Sequence, residues 1–177
     1  MITKWKTLEK NEKSRGHIFR YLVAKRQSQE TGASGNFDII QTLNWVNVVP
    51  LTPDNKVVLV KQYRHGTDEV TLEIPGGAVH FNEDIRLAAE RELEEETGYQ
   101  SSDWIKLGTC HPNPAFMTNI CETWLARNCE LTGVQNFDDL EEIELVTVPL
   151  SEIPSMIKKG EITHSLVIAA FHYLTLL

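Results

Sequence analysis

The sequence predicts a mixed α/β fold of the α+β type, with a largely non-sequential sheet. Three observations lead there. Apolar and polar residues alternate in short runs over the first part of the chain, the period of half-buried strands. One longer stretch, residues 84–97, is instead bounded by helix-start and helix-stop residues. The order of elements is strands, helix, strands, helices, which is not the regular alternation that builds a doubly wound parallel sheet.

Taken in order, residues 5–8 and 18–23 read as strands. The polar run 27–36, containing Gly32, Ser34 and Gly35, reads as a loop or hairpin turn. A further strand begins at Phe37 and runs to Leu43. Residues 46–51 are apolar enough for a more buried strand. Pro53, Asp54 and Asn55 make a turn, and the valine-rich residues 56–63 return as a hairpin partner. Residues 71–74 are a short strand ended by Pro75-Gly76-Gly77. The helix over 84–97 takes Asn82 as N-cap, acids in its first turn and Gly98 as its stop. Residues 104–110, 121–128 and 143–148 are further strands, and helices over 151–159 and 164–174 follow. The chain shows no internal repeat and no low-complexity segment.

Composition narrows the function. A chain of 177 residues with 41% hydrophobic residues suits one domain with a small appended subdomain. The net charge of -8 argues against nucleic acid as the main partner. An acidic protein that handles phosphates needs cations, from local arginines and lysines or from bound metal. Cys110, Cys121 and Cys129 form no CxxC pair and no metal-ligand spacing with histidine, so they read as reduced structural thiols. The first ten residues contain no apolar signal segment, and the apolar stretch 166–177 is too short to cross a bilayer, so no membrane is expected and the cytoplasm is the default compartment.

The chemistry concentrates on the helix. On a wheel of about 100° per residue with Glu92 at zero, Glu96 falls near 40° and Glu95 near -60°. Ile85, Ala88 and Ala89 mark the same side, so three carboxylates share the inward face while Glu90 and Glu94 lie opposite. Most glutamate runs are solvated surface. Here the spacing i, i+3, i+4 sets like charges against one another beside small alanines, and such a group calls for a cation. Hard oxygen ligands favour Mg²⁺ or Mn²⁺. Arg91 lies four residues before Glu95 and can orient it, leaving Glu92 and Glu96 for metal. Gly76 and Gly77 let backbone approach a ligand closely.

Gly77, Glu83, Arg91-Glu92, Glu95-Glu96 and Gly98-Tyr99 together resemble the Nudix box, Gx5Ex7REUxEExGU, with Tyr99 the one loose position. Gln62-Tyr63-Arg64, Glu73-Ile74-Pro75 and the placing of Pro114 are similar to segments of the ADP-ribose and nucleotide-sugar pyrophosphatases. The resemblance implies a Nudix fold, mixed β-sheets sandwiched between helices, with a small N-terminal antiparallel sheet. It implies a β-rich dimerisation subdomain over residues 1–43 and a catalytic domain over 44–177.

The resemblance also implies the chemistry. Metal would be held by Glu92, Glu95, Glu96 and the carbonyl of Gly76, with Arg91 and Glu83 in support. The acidic stretch Asp138-Asp139-Leu140-Glu141-Glu142 would supply a general base, Glu141 first, then Glu142 and Asp139; the alternative is a solvated loop. Substrate contacts are expected from Arg64, Trp45, Glu73, Phe116, Thr118 and Asn119, although residues such as Trp45 and Phe116 are more often simply core and Arg64 serves equally as a surface ion pair. The loop His111-Pro112-Asn113-Pro114-Ala115-Phe116 has less glycine and acid than a dedicated ADP-ribose enzyme would carry, which leaves the sugar open. The expected partner is a small nucleotide sugar, with Mg²⁺ as cofactor, Mn²⁺ substituting, and a homodimer that exchanges its N-terminal region. A triphosphate or dinucleoside polyphosphate hydrolase, and a catalytically silent nucleotide-sugar-binding regulator, are the competing readings.

Overall fold

The computed structural model describes residues 2–136 and 142–177. The polar–apolar alternation of the first forty residues builds three antiparallel strands: β1 (Lys6–Arg15), β2 (Phe19–Gln27) and β3 (Ser34–Thr42), in the order β1-β2-β3. β1, at ten residues, is more than twice as long as the strand expected over residues 5–8. Glu9 to Arg15 are charged or polar, yet they stay extended because β2 supplies their ladder, Lys10 opposite Ala24 and Glu12 opposite Leu22. All ten residues of β1 are exposed, and the buried cluster of this sheet is Leu22, Ala24 and Ile39. Residues 1–44 and 111–120 form one compact unit; residues 45–110 and 121–177 form a second.

The second unit holds the remaining elements: β4 (Trp45–Pro50), β5 (Lys56–Arg64), β6 (Glu69–Glu73), β7 (Gly76–Ala78), α1 (Ile85–Thr97), β8 (Tyr99–Gln100), β9 (Asp103–Cys110), β10 (Cys121–Arg127), β11 (Glu130–Leu131), β12 (Ile143–Pro149), α2 (Ile153–Lys159) and α3 (Ser165–Leu174). One sheet has the order β7-β4-β10-β9, another β12-β5-β6, and β11-β8 is a short pair. The central pairing is parallel, Trp45 beside Cys121 through Pro50 beside Ala126.

The expected hairpin between residues 46–51 and 56–63 does not form. β4 and β5 enter different sheets and meet only at an isolated bridge, Leu51 with Val57. Val46, Val48 and Val49 of β4, and residues 57–60 of β5, are all fully buried, as in central strands with a neighbour on each edge. β4 takes β7 and β10, and β5 takes β12 and β6.

Alternation along β4 then separates two cores. Val46 and Val48 pack with Ala88, Ala89 and Leu93 of α1. Val49 and Leu51 join the cluster of Ile153, Met156 and Phe171 from the last two helices. The mixed sheet is therefore held between helices, as expected.

The start of α1 differs from its expectation. Asp84, not Asn82, is the N-cap, and its side chain accepts from the amides of Arg86 and Leu87 at 2.9 and 3.2 Å. Asn82 instead takes a left-handed turn with φ 65°. The first turn carries no acid. The end is as expected: Gly98 closes the helix at φ 71° and donates to the carbonyl of Glu94.

Candidate active site

The face of α1 that Ala88 and Ala89 turn toward β4 also carries the glutamates, in graded burial. Glu96 is buried, only 4% exposed, the Glu92 side chain is 13% exposed and the Glu95 side chain 41%. The three do not share one environment: Glu95 stands at the rim. The short strand β7 crosses beside this face. Its Gly76 amide donates to Oε2 of Glu96 at 3.1 Å. At Gly77 an added Cβ would stand 2.4 Å from Oε1 of Glu92. Residues 76–78 are thus strand rather than plain turn, and pairing with Trp45, Val46 and Asn47 of β4 fixes them against the carboxylates.

Arg91 ties the site together. Its Nε and Nη2 fork onto Glu83 at 2.8 and 3.2 Å, and Nη2 also donates to the carbonyl of Ala78 at 3.2 Å. Its Nη1 donates to Glu92 at 2.9 Å and to Glu95 at 3.0 Å. The expected Arg91–Glu95 pair is present, but Glu92 shares the same nitrogen and is not left free. The Glu83 hydrogen bonds hold the guanidinium more firmly protonated than an ordinary arginine, against the opposing effect of burial. Reciprocally, Arg91 holds the Glu83 carboxyl below its ordinary range, with help from the His80 amide, which donates to it at 2.7 Å.

Among the described residues no three acidic, histidine or cysteine side chains already converge as metal ligands; the Arg91 guanidinium bridges Glu92 and Glu95 instead. The residues nevertheless fit a divalent cation. Their donors are hard oxygens, and the cradle at Gly77 leaves no room for a side chain beside the Glu92 carboxylate. The buried Glu96 and the Glu92 carboxylate one helical turn before it, 13% exposed, are best compensated by positive charge.

The other expected residues divide between the two units. In the second unit, Arg64 of β5 forks onto Glu73 of β6, Nε to Oε1 and Nη2 to Oε2, both at 2.8 Å. Glu73 is only 3% exposed, and Thr71 also donates to its Oε1. Arg64 is thus ion-paired, as one expectation had it, but to a buried carboxylate, while its own side chain is 41% exposed. Trp45 begins β4 at intermediate burial. In the first unit, Phe116 and Thr118 line a cavity of about 290 Å³ with Trp5, Arg26 and Phe37. Asn119 is only 1% exposed, and neither side-chain polar atom has a hydrogen-bond partner among the described residues. Asp138, Asp139 and Glu141 lie outside the described residues; Glu142 is exposed just ahead of β12.

Sequence reading missed Thr71, which looked like an ordinary strand residue. It also missed Trp5, Arg26 and Phe37, whose alternation signalled a strand but not a cavity.

Comparison with known proteins bears on the family and the fold. The NUDIX domain family model matches residues 42–171. The chain is 32% identical over 164 residues to a methanol dehydrogenase activator from Bacillus methanolicus, covering 90% of this chain and 89% of that protein. It is 27% identical over 176 residues to an ADP-ribose pyrophosphatase from Bacillus subtilis, covering 97% and 95%. Among solved structures, an ADP compounds hydrolase superposes with a TM-score of 0.86, 19% identity, and coverage of 99% and 94%; at that identity it speaks for the fold.

Proposed function

The chain belongs to the NUDIX family, and from that premise we propose that it hydrolyses the diphosphate linkage of nucleoside diphosphate sugars, ADP-ribose first and GDP-mannose next. The products are a nucleoside monophosphate and a sugar phosphate. The observation that carries the chemistry is the arrangement on α1: Glu92 and Glu96 against the Gly76-Gly77 strand, braced by Arg91 and Glu83. The ADP-ribose pyrophosphatase from Bacillus subtilis, similar along nearly the whole chain, supports the substrate class.

Glu92, Glu96 and the Gly76 carbonyl would hold a divalent ion, with Glu95 at the rim ligating or bridging. Mg²⁺ is the proposed ion, and Mn²⁺ substitutes. When bound, such an ion neutralises the diphosphate oxygens and lowers the pKa of the attacking water. Arg91 keeps the carboxylates aimed, because its guanidinium is fixed by Glu83 at one end and meets Glu92 and Glu95 at the other. Glu141, then Glu142 and Asp139, are proposed as the base that takes the water's proton within about 3 Å or through a second water. Arg64 and Trp45 are proposed to meet the nucleobase. Phe116, Thr118 and Asn119 are proposed sugar contacts. We place the protein in the cytoplasm, where its three free thiols remain reduced.

The deciding measurement is kcat/KM for ADP-ribose, several nucleotide sugars, nucleoside triphosphates and diadenosine polyphosphates, side by side. A nucleotide sugar should lead. A preference above about tenfold, roughly 1.4 kcal/mol, for a triphosphate or dinucleoside polyphosphate overturns the substrate reading.

One observation favours a second reading. The similar Bacillus methanolicus protein is named for activating a dehydrogenase, so this chain would act on another enzyme. In that case free nucleotide sugars would be turned over poorly, and a partner dehydrogenase would change rate when the chain is added.

A further inference from the structure

A carboxylate only 3% exposed in a strand is hard to explain by stability alone. Glu73 sits between the apolar Leu72 and Ile74, and the Ile74 side chain belongs to the main core. Taking its charge out of water is costly, and replacing a buried ion pair by apolar residues is often neutral or stabilising. Both of its oxygens are engaged: Oε1 by Arg64 Nε and Thr71 Oγ1, Oε2 by Arg64 Nη2. Glu73 therefore presents no oxygen to a substrate. Its partner is different, because the Arg64 side chain remains 41% exposed.

The register shows how deliberate the contact is. Glu73 stands opposite Val60 in the β5–β6 ladder and Arg64 stands opposite Glu69. The arginine reaches back past the Gln62–Thr71 pair to find Glu73. A side-on fork through Nε and Nη2 fixes both the position and the plane of the guanidinium. Three residues beyond Glu73 the same backbone reaches Gly76, whose amide holds Glu96. One short segment thus ties the plane of Arg64 to the carboxylates of α1.

We propose that Glu73, seconded by Thr71, is a positioning residue that sets the guanidinium plane of Arg64 for the nucleotide end of the substrate, a reading that rests on the function proposed above. An unrestrained arginine has many rotamers and loses much of that freedom on binding. Anchored to a buried carboxylate, Arg64 has lost that freedom before substrate arrives, so binding strengthens without a new contact. The charge state is consistent. Burial by itself raises the Glu73 carboxyl, but the hydrogen bonds from Arg64 and Thr71 outweigh it and keep the group ionised.

The test is a double-mutant cycle on the full chain with ADP-ribose and Mg²⁺, using Glu73→Gln, Arg64→Lys and the double variant. Glutamine keeps the size of Glu73 and one acceptor; lysine keeps a cation beside the buried carboxylate but cannot fork. Glu73→Gln should raise KM about tenfold, with kcat within about threefold and the Mg²⁺ activation constant unchanged. In the Arg64→Lys background the same change should add less than about twofold, because its effect passes through the fork. If Glu73→Gln unfolds the chain, as its Tm would show, Thr71→Val loosens the same carboxylate and should raise KM in the same direction. Equal effects of Glu73→Gln in both backgrounds, or a fall in kcat at constant KM, overturn the positioning role. An Arg64→Lys variant with wild-type KM overturns it too, by removing the contact that Glu73 would position. Failure of the functional reading is distinct and is read on the wild-type chain alone, as poor turnover of every nucleotide sugar or a more than about tenfold preference for a triphosphate or dinucleoside polyphosphate.

Discussion

At the scale of single residues, the sequence placed three glutamates on one face of α1, and they share that side. It did not show their unequal burial, because a wheel gives angle and not depth. Nor did it show that Arg91 meets Glu92 as well as Glu95, since that depends on the guanidinium orientation set by Glu83. These details decide two expected outcomes. Glu96→Gln keeps size and loses charge at a 4% exposed site, so kcat should fall by at least about a hundredfold while circular dichroism is unchanged. Near wild-type turnover in Mg²⁺ would remove Glu96 from the metal set. Gly77→Ala places a methyl 2.4 Å from a flexible carboxylate, which must swing away. Activity should drop by at least about tenfold with little change in Tm, a combination that distinguishes displacement of Glu92 from general misfolding.

At the scale of elements, the strands and helices were legible because their periods are strong, and the pairing of strands was not. The hairpin expected between residues 46–51 and 56–63 did not form because both edges of each strand go to other partners, β7 and β10 for β4 and β12 and β6 for β5, which local sequence does not specify. The cap of α1 was misplaced by two residues, since both Asn82 and Asp84 are good caps and only the backbone shows which one turns. Asp84→Ala should therefore destabilise the protein by about 1 kcal/mol, read from denaturant unfolding, and Asn82→Ala should not act through the cap. The brace ahead of α1 also has a pH signature. Glu83 is held below the ordinary glutamate value of about 4.3, so its pairing stabilises the fold above that pH. The contribution is lost as pH falls through the ordinary value toward the folded one. A Tm profile between about pH 6 and 3 should fall more steeply for the wild type than for Glu83→Gln. Parallel profiles would show that the Arg91–Glu83 fork carries no folding energy.

At the scale of the whole molecule, the expected boundary after residue 43 came from the family resemblance and not from a signal in the residues themselves. What was not legible is that residues 111–120 belong with the first unit, because nothing in their composition marks a return to it. The parallel Ile40–Met117 bridge and the amide bonds joining Ile40, Phe116 and Thr118 are non-local. The same unit carries the proposal of a homodimer. β1 is exposed along its whole length, and Trp5, Leu8, Phe19 and Phe37 leave 37–46% of their surface open. Light scattering at micromolar concentration should give about twice the 20.1 kDa chain mass. A monomer mass would return this sheet to an ordinary solvated surface.

The parallel β4–β10 ladder also bears on how the protein is made. β4 leaves the ribosome with its valines ready for burial, but its partner β10 begins roughly 70 residues later, about 4 to 15 seconds at ordinary elongation rates. During that interval one edge of the most apolar strand in the chain has no neighbour, and β7 can cover only the other. Nascent chains stalled before Cys121 should therefore be the ones that chaperones hold, and release should follow synthesis of Arg127.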